Sequence, residues 1–367
     1  MFESSTSEPR SDRALVELGY ERFRALFHEC AQPPLVPARV VKTVRGHVWV
    51  ATNDGVIRAL PAGALTSEAG PEGFPVVGDW VALRPGDGAS SPVVEVVLPR
   101  RSLFTRRDPG KASVGQVIAA NIDIVFIVQA IDGGANIRRI ERELALAWDS
   151  GAVPVVVLSK ADLVEDPDAE VAAVSLAAPG VDVIASSVPG DVGIEVLRAH
   201  VADFRTVALI GPSGAGKSTL VNRLVGGDVQ SVGEVRAIDG RGRHTTVTRE
   251  LIPLPGGGAL IDTPGLRAVA MWGDEEGVET TFAEIAELGH GCRYDDCAHE
   301  VEPGCAVRAA VESGGLDPAR YEAYLALRRE SAFQARQGDA RLKAEETRRW
   351  KMISKASKAY FKDKYSK

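Results

Sequence analysis

Residues Gly211-Pro212-Ser213-Gly214-Ala215-Gly216-Lys217-Ser218-Thr219 carry the spacing G-x-x-x-x-G-K-[ST]. The strand pattern TVALIG precedes them and the helix pattern LVNRLV follows, which is the context this motif requires. Glycines let successive backbone N–H groups curl around a β-phosphate, and the helix N-terminus adds partial positive charge. Lys217 is expected to bridge β- and γ-phosphates, and the Ser218 hydroxyl to ligate Mg²⁺. A nucleoside triphosphate is therefore the expected ligand.

Ile261-Asp262-Thr263-Pro264-Gly265 ends a later apolar run and has the form D-x-x-G. In such a switch Asp262 holds Mg²⁺ through water, and the Gly265 N–H meets the γ-phosphate. Between the two motifs lies a basic, glycine-containing loop, Gly240-Arg241-Gly242-Arg243-His244-Thr245-Thr246. One of its threonines should complete the Mg²⁺ shell; Thr245 is the first choice and Thr246 the second.

Guanine presents its N1–H and amino group as a donor pair that one carboxylate accepts, and adenine has no equivalent pair. The strand pattern VVVL leads into Ser159-Lys160-Ala161-Asp162, an N/T-K-x-D motif with Ser at its first position. Ala185-Ser186-Ser187, after a further apolar run, resembles the loop whose backbone N–H meets the base O6. A lone S-K-A-D is usually a solvated turn; beside a P-loop and D-T-P-G it marks Asp162 as the base reader. The order is unusual, because Asp162 precedes Lys217 in the chain. Base motifs come first, then P-loop, first switch and second switch, as in a G domain that has been cut and rejoined. The D-T-P-G switch then leads directly toward the C-terminal part of the chain.

Cys292-x4-Cys297-x-His299-x5-Cys305 offers three thiolates and an imidazole. A structural zinc takes four such ligands tetrahedrally with no open position. Three of the four cysteines gather here, too few and too local for a disulfide framework. The alternative, buried free cysteines with a surface histidine, leaves that clustering without a reason. Asp295, Asp296 and Glu300 read as surface charges, and the isolated Cys30 as a small apolar residue on an amphipathic helix.

The elements that must position these groups fall into a few segments. Residues 1–35 are expected to be a flexible N-terminal segment, polar at first and then helical around Leu15–Phe27. Residues 36–100 carry five short strands, VVKTV, HVWVA, GVIRAL, VVGDWVAL and VVEVVL, separated by Asn53-Asp54-Gly55 and other turns. Five strands of this length fit a small closed barrel of OB-fold type, either a nucleic-acid binder or a plain structural module. Trp49, Trp80 and Trp350 read as packing residues before RNA contacts. Residues 101–274 alternate continuous Val/Ile/Leu runs with helical patterns, which predicts an α/β domain around a parallel sheet buried on both faces. Residues 275–335 are helical around the cysteine cluster, and 336–367 form a basic helical tail. From Arg341 to Lys367 ten Lys or Arg oppose three acids, against a net charge of −7 for the chain. That tail is either a solvated end or an arm for nucleic-acid phosphates.

No run of 18 apolar residues occurs among the 367, and the start lacks the features of a secretory leader. The expectation is a cytoplasmic protein with no membrane partner, and a monomer.

Taken together, GPSGAGKST, GRGRHTT, DTPG, AANIDIVFIVQAID and the C-x4-C-x-H-x5-C cluster resemble the circularly permuted, ribosome small-subunit-dependent GTPases of bacterial 30S biogenesis. The resemblance covers about residues 36 to 330. It implies an N-terminal OB barrel, a permuted P-loop GTPase domain and a C-terminal helical zinc domain. It also implies GTP hydrolysis stimulated by the 30S subunit, with 16S rRNA as a contact and GTP/GDP, Mg²⁺ and Zn²⁺ as ligands. Ser159 departs from the family's usual Asn, which implies weaker nucleotide affinity or guanine selectivity.

Leu266 stands where Ras-like proteins place a water-orienting glutamine. Hydrolysis must borrow a group from elsewhere, and slow intrinsic turnover is expected. His244 is the nearest candidate; it alternatively anchors its loop or touches RNA. Arg241 and Arg243 are available to the transition state or to rRNA. Three other readings stand beside this one: a P-loop ATPase or small-molecule kinase, an RNA-binding scaffold with a structural nucleotide, and a metal-dependent hydrolase at the cysteines.

Overall fold

The structure, a computed structural model, describes residues 13–44, 46–67, 73–87, 90–106, 116–227, 249–262 and 276–338. These fall into two compact units: residues up to 262, and residues 276–338.

The described residues begin with helix α1 (Arg13–Glu17), a 3₁₀ turn (Tyr20–Phe23) and α2 (Arg24–Cys30). The helical stretch read from the sequence is broken at Gly19, whose φ of 92° is left-handed and ends α1. Tyr20 and Phe23 each lie 5.5 Å, centroid to centroid, from the Trp80 ring, so Trp80 is a packing residue. Cys30, read as a small apolar residue on an amphipathic helix, is exposed at the end of α2.

Five strands follow: β1 (Val36–Val44), β2 (His47–Thr52), β3 (Gly55–Pro61), β4 (Trp80–Arg84) and β5 (Val93–Val97). The short helix α3 (Gly63–Ser67) lies between β3 and β4. The strands pair in the order β1-β2-β3-β5-β4, and β4 returns to β1, which closes a barrel of OB-like type. Alternate residues Ala38 and Val40, Val48 and Val50, Val81 and Leu83 point inward and form its core. A bulge between Val40 and Lys42 changes the facing of β1. Val40 stays in the barrel core, whereas Val41 belongs to the core of the neighbouring α/β layer.

After the hairpin β6 (Leu103–Arg106) and β7 (Gln116–Ala120) comes the α/β part. It comprises β8 (Ile124–Ala130), α4 (Ile137–Asp149), β9 (Val153–Ser159), α5 (Pro167–Ala177), β10 (Asp182–Ser186) and α6 (Ile194–His200). Then follow β11 (Thr206–Ile210), α7 (Lys217–Val225), β12 (Arg249–Pro253) and β13 (Ala259–Asp262). The strand order is β10-β9-β8-β11-β13-β12; all are parallel except β12, which the hydrophobic pattern did not reveal. Along β8 the apolar run divides by parity. Val125 and Ile127 join Ile140, Leu144 and Val174 of α4 and α5 on one face. Ile124, Phe126 and Val128 join Ile194, Leu197, Leu220 and Leu224 of α6 and α7 on the other. Through β1–β12 pairing the barrel and the α/β strands form one sheet of 11 strands.

The second unit contains α8 (Glu276–Thr281), α9 (Ala283–Gly289), α10 (Ala306–Glu312) and α11 (Pro318–Gly338). Its core joins Val278, Phe282, Ile285, Val307 and Tyr324. Arg320 stacks 4.2 Å above the Phe282 ring and bonds Glu284 at 2.6 Å. Among the described residues no helix is long and apolar enough to cross a membrane.

Candidate nucleotide and metal sites

The motif residues of the first unit meet at the carboxyl edge of the parallel strands, where open α/β sheets bind ligands. From β8, strands β9 and β10 lie to one side and β11 and β13 to the other, so the crevice falls between β8 and β11. The P-loop begins directly after β11. Gly211 has φ 134°, and a Cβ there would lie 2.1 Å from the Val128 carbonyl oxygen of β8, so backbone approach as well as dihedral demands glycine. Gly214 (φ 80°) and Gly216 (φ 81°) are also left-handed, and Gly216 caps α7. The exposed Ser213 and Gly214 form the crest, while Ala215 is buried beneath it. Pro212 is half-buried, as are Ser218 and Thr219 in the first turn of α7. The buried Lys217 curls over the loop and donates to the carbonyls of Gly211 (2.8 Å) and Pro212. This run of left-handed glycines at a helix N-terminus fits polyphosphate.

Asp262 ends β13, next to β11 in parallel register, on the P-loop side of the sheet. Its other motif partner, Gly265, lies outside the described residues, as do Leu266, Arg241, Arg243, His244, Thr245, Thr246 and Trp350.

The base motif stands at the ends of β9 and β10, where Ser159 and Ser186 are register partners. The Ser159 hydroxyl donates to the Ala215 carbonyl at 2.6 Å, and so ties this loop to the P-loop. Lys160 is left-handed (φ 61°) and its ammonium lies 2.7 Å from Asp132. Asp162 is exposed, and its Oδ1 accepts a 2.5 Å hydrogen bond from the Ser187 hydroxyl. Ser187, itself buried, also accepts from the Gly190 N–H at 3.0 Å. Ser159 with the P-loop and Asp162 with Ser187 thus form two hydrogen-bonded pairs on one short loop, although the chain presents these motifs in inverted order.

Glu143, on α4, is a charged group that the sequence did not single out. Burial pushes its carboxyl up to about 7, against the pull of Arg139, Lys217 and Arg142. Its Oε2 is buried without a hydrogen-bond partner. Arg39 of β1 was likewise unforeseen. Its buried guanidinium donates to Leu18 O and to Thr206 Oγ1 (2.6 Å), the first residue of the P-loop strand. Burial depresses its pKa to about 10. The Thr206 N–H donates to Asp123 at 2.8 Å. No motif marks such residues, because their partners lie far away in the chain or on other elements.

In the second unit Cys292, Cys297, His299 and Cys305 place their ligand atoms within 4.8 Å of one another. Cys292 Sγ and Cys305 Sγ are 3.9 Å apart, and they lie 3.5 and 3.4 Å from His299 Nδ1. Tetrahedral zinc with ordinary bond lengths requires about 3.8 Å between sulfurs and about 3.6 Å from sulfur to nitrogen, so the donor set fits. Burial, then nearby Arg328, lowers the pKa of His299 and favours the neutral imidazole a metal needs. His299 is held in a left-handed conformation (φ 62°), and its carbonyl accepts from Tyr321 at 2.6 Å. Glu302, absent from the sequence reading, organises the loop: its carboxylate accepts from the N–H groups of Ala298, Glu300 and Val301 at 3.0–3.2 Å. Asp295, Asp296 and Glu300 are exposed, as expected of surface charges.

The fold and the nucleotide crevice define a circularly permuted P-loop GTPase that carries an OB-like barrel and a helical unit with a Cys₃His cluster. Residues 97–272 match the family described as RsgA GTPase. The small ribosomal subunit biogenesis GTPase RsgA of Streptomyces coelicolor is 46% identical over 360 residues, which are 97% of each chain. That of Opitutus terrae is 46% identical over 359 residues, 94% of this chain and 97% of its own. The chain belongs to the RsgA GTPase family, and it is a GTP hydrolase. Among solved structures, YjeQ from Thermotoga maritima superposes with a TM-score of 0.62 at 28% identity, over 81% of this chain and 98% of its own. The circularly permuted GTPase YloQ has the same fold, with a TM-score of 0.60 over 82% of this chain and 96% of its own.

Proposed function

We propose that this GTPase acts in late maturation of the small ribosomal subunit, and that the subunit stimulates its turnover. The name shared by relatives aligned over nearly the whole chain supports this reading. Contact with 16S rRNA through the barrel and the basic tail belongs to the same proposal, as does a monomeric state in the cytoplasm.

The roles follow from the crevice. The N–H groups of Gly211 and of Ser213 to Gly216 cradle the β-phosphate, and Lys217 turns from the loop carbonyls to bridge β- and γ-phosphates. Thr219 helps to close the first turn. Ser218 and Asp262, with Thr245 from the first switch, would hold Mg²⁺, whose charge would stabilise the phosphate oxygens. The Gly265 N–H senses the γ-phosphate. Asp162 reads guanine N1–H and the amino group together; the Ser187 hydroxyl orients its carboxylate while the Ser187 N–H is held by the Val192 carbonyl at 3.1 Å, which leaves the Ser186 backbone to face O6, and Lys160 flanks the ring. Ser159 retains the P-loop tether through its hydroxyl despite the change from Asn. With Leu266 after D-T-P-G, no glutamine is available there, and the role of positioning the attacking water is assigned to His244 of the first switch. The Cys₃His cluster holds zinc, whose part is to fold a unit with a small core.

One observation carries this account: the Ser159–Ala215 and Asp162–Ser187 bonds join base motif, second base loop and P-loop into one site. Turnover of GTP and of ATP, each with and without isolated 30S subunits, tests it. Slow GTP hydrolysis that rises many-fold with the subunit, and ATP at background, is expected. GTP hydrolysis that ignores the subunit would remove the ribosomal role, and hydrolysis of ATP alone would remove the guanine site.

A further inference from the structure

The turn between β8 and α4 carries an acid that none of the nucleotide motifs includes. Asp132 Oδ2 stands 2.7 Å from the Lys160 ammonium, and that hydrogen bond is the main reason its carboxyl lies below the usual carboxylate range. The turn is fixed on both sides. Ile131 N–H donates to the Ser159 carbonyl at 3.1 Å, and Gly134 N–H donates to Ile131 O at 3.1 Å. Ala135 N–H donates to Glu170 of α5 at 3.1 Å, and Asn136 caps α4 through the Arg139 N–H at 3.1 Å. Asp132 therefore projects from a rigid support.

Lys160 sits between two residues that are themselves anchored, Ser159 on the P-loop and Asp162 on Ser187. Its own stem is long, and 34% of its side chain is exposed. An unanchored lysine samples many rotamers, and ordering them when a ligand arrives weakens affinity. An ion pair this exposed contributes little to folding, so its consequence belongs to binding.

We propose that Asp132 is a positioning residue for the guanine nucleotide: it holds Lys160 in place beside the base before the ligand binds. The proposal rests on the reading of Asp162 and Lys160 as the base site. Affinity for a fluorescent GDP, together with kcat and KM for GTP, tests it on the full chain as wild type, Asp132→Ala, Lys160→Ala, the double variant and Asp162→Ala. Asp132→Ala should weaken GDP binding by about three- to tenfold, the scale of one pre-organising charged contact. It should raise KM without change in kcat, leave the thermal midpoint in place, and add nothing further on the Lys160→Ala background. Wild-type affinity in Asp132→Ala, or an equal loss with and without Lys160, would overturn the proposal. Asp162→Ala with wild-type affinity would instead overturn the base-site reading beneath it.

Discussion

At the residue scale, candidate positions were legible where a short pattern implies a mechanism. Gly211, Lys217, Asp162 and the Cys292, Cys297, His299 and Cys305 cluster are of this kind. Glu143, Asp132 and Glu302 were not, because no motif contains them and only the folded chain shows that Glu143 is buried, that Asp132 meets Lys160 and that Glu302 gathers three loop N–H groups. Glu143 makes a quantitative prediction. Its folded pKa, about 7, is above the ordinary 4.5, so neutral Glu143 adds stability that is complete at low pH and lost as pH rises through 7. Glu143→Gln should therefore raise stability at pH 8, by about 1–3 kcal/mol, and this gain should vanish toward pH 4. Thermal melts across that range measure it; a gain that does not vary with pH would mean that desolvation of the carboxylate is not the cause.

At the element scale, the runs that proved most legible were those buried on both faces. The alternation of Ile124 through Val128 between two cores explains why β8 reads as one unbroken apolar segment. β12 was missed because its five residues, Arg249-Glu250-Leu251-Ile252-Pro253, hold only two large apolar side chains before a proline, although a tight turn joins it to β13; its other partner, β1, lies far away in the chain. The break at Gly19 was missed because a left-handed residue interrupts a hydrophobic pattern without altering it. The P-loop glycines separate in the same physical terms. Gly211→Ala meets the Val128 carbonyl and should cost about 2–4 kcal/mol and abolish nucleotide binding. Gly214→Ala has open space and should cost only the left-handed strain of about 1–2 kcal/mol. Denaturant midpoints of the two variants give the order, and equal losses would contradict this account of the loop.

At the scale of the whole molecule, the fold class was legible because its parts announce themselves in different periods: five short alternating strands, then buried parallel strands, then helices around a metal cluster. That the barrel and the α/β strands share one sheet was not legible, since it depends on the bulge at Val41 and the β1–β12 pairing. The metal cluster makes the prediction at this scale. Chelation should release amide protection in residues 276–338 and leave that of β8 and β11 intact, because metal binding there is folding free energy. Protection retained in residues 276–338 after chelation would mean that the helices carry the unit alone.

The central claim is that Asp162, placed ahead of the P-loop in the chain, reads guanine, and one substitution tests it directly. Guanine gives a carboxylate two donors, whereas xanthine gives one donor and one carbonyl acceptor, which an amide matches. Affinities of wild type and Asp162→Asn for GDP and for xanthosine diphosphate should therefore cross: wild type prefers GDP, and Asp162→Asn prefers the xanthine nucleotide. If Asp162→Asn keeps the wild-type preference for GDP, Asp162 does not read the base and the permuted site is wrongly assigned.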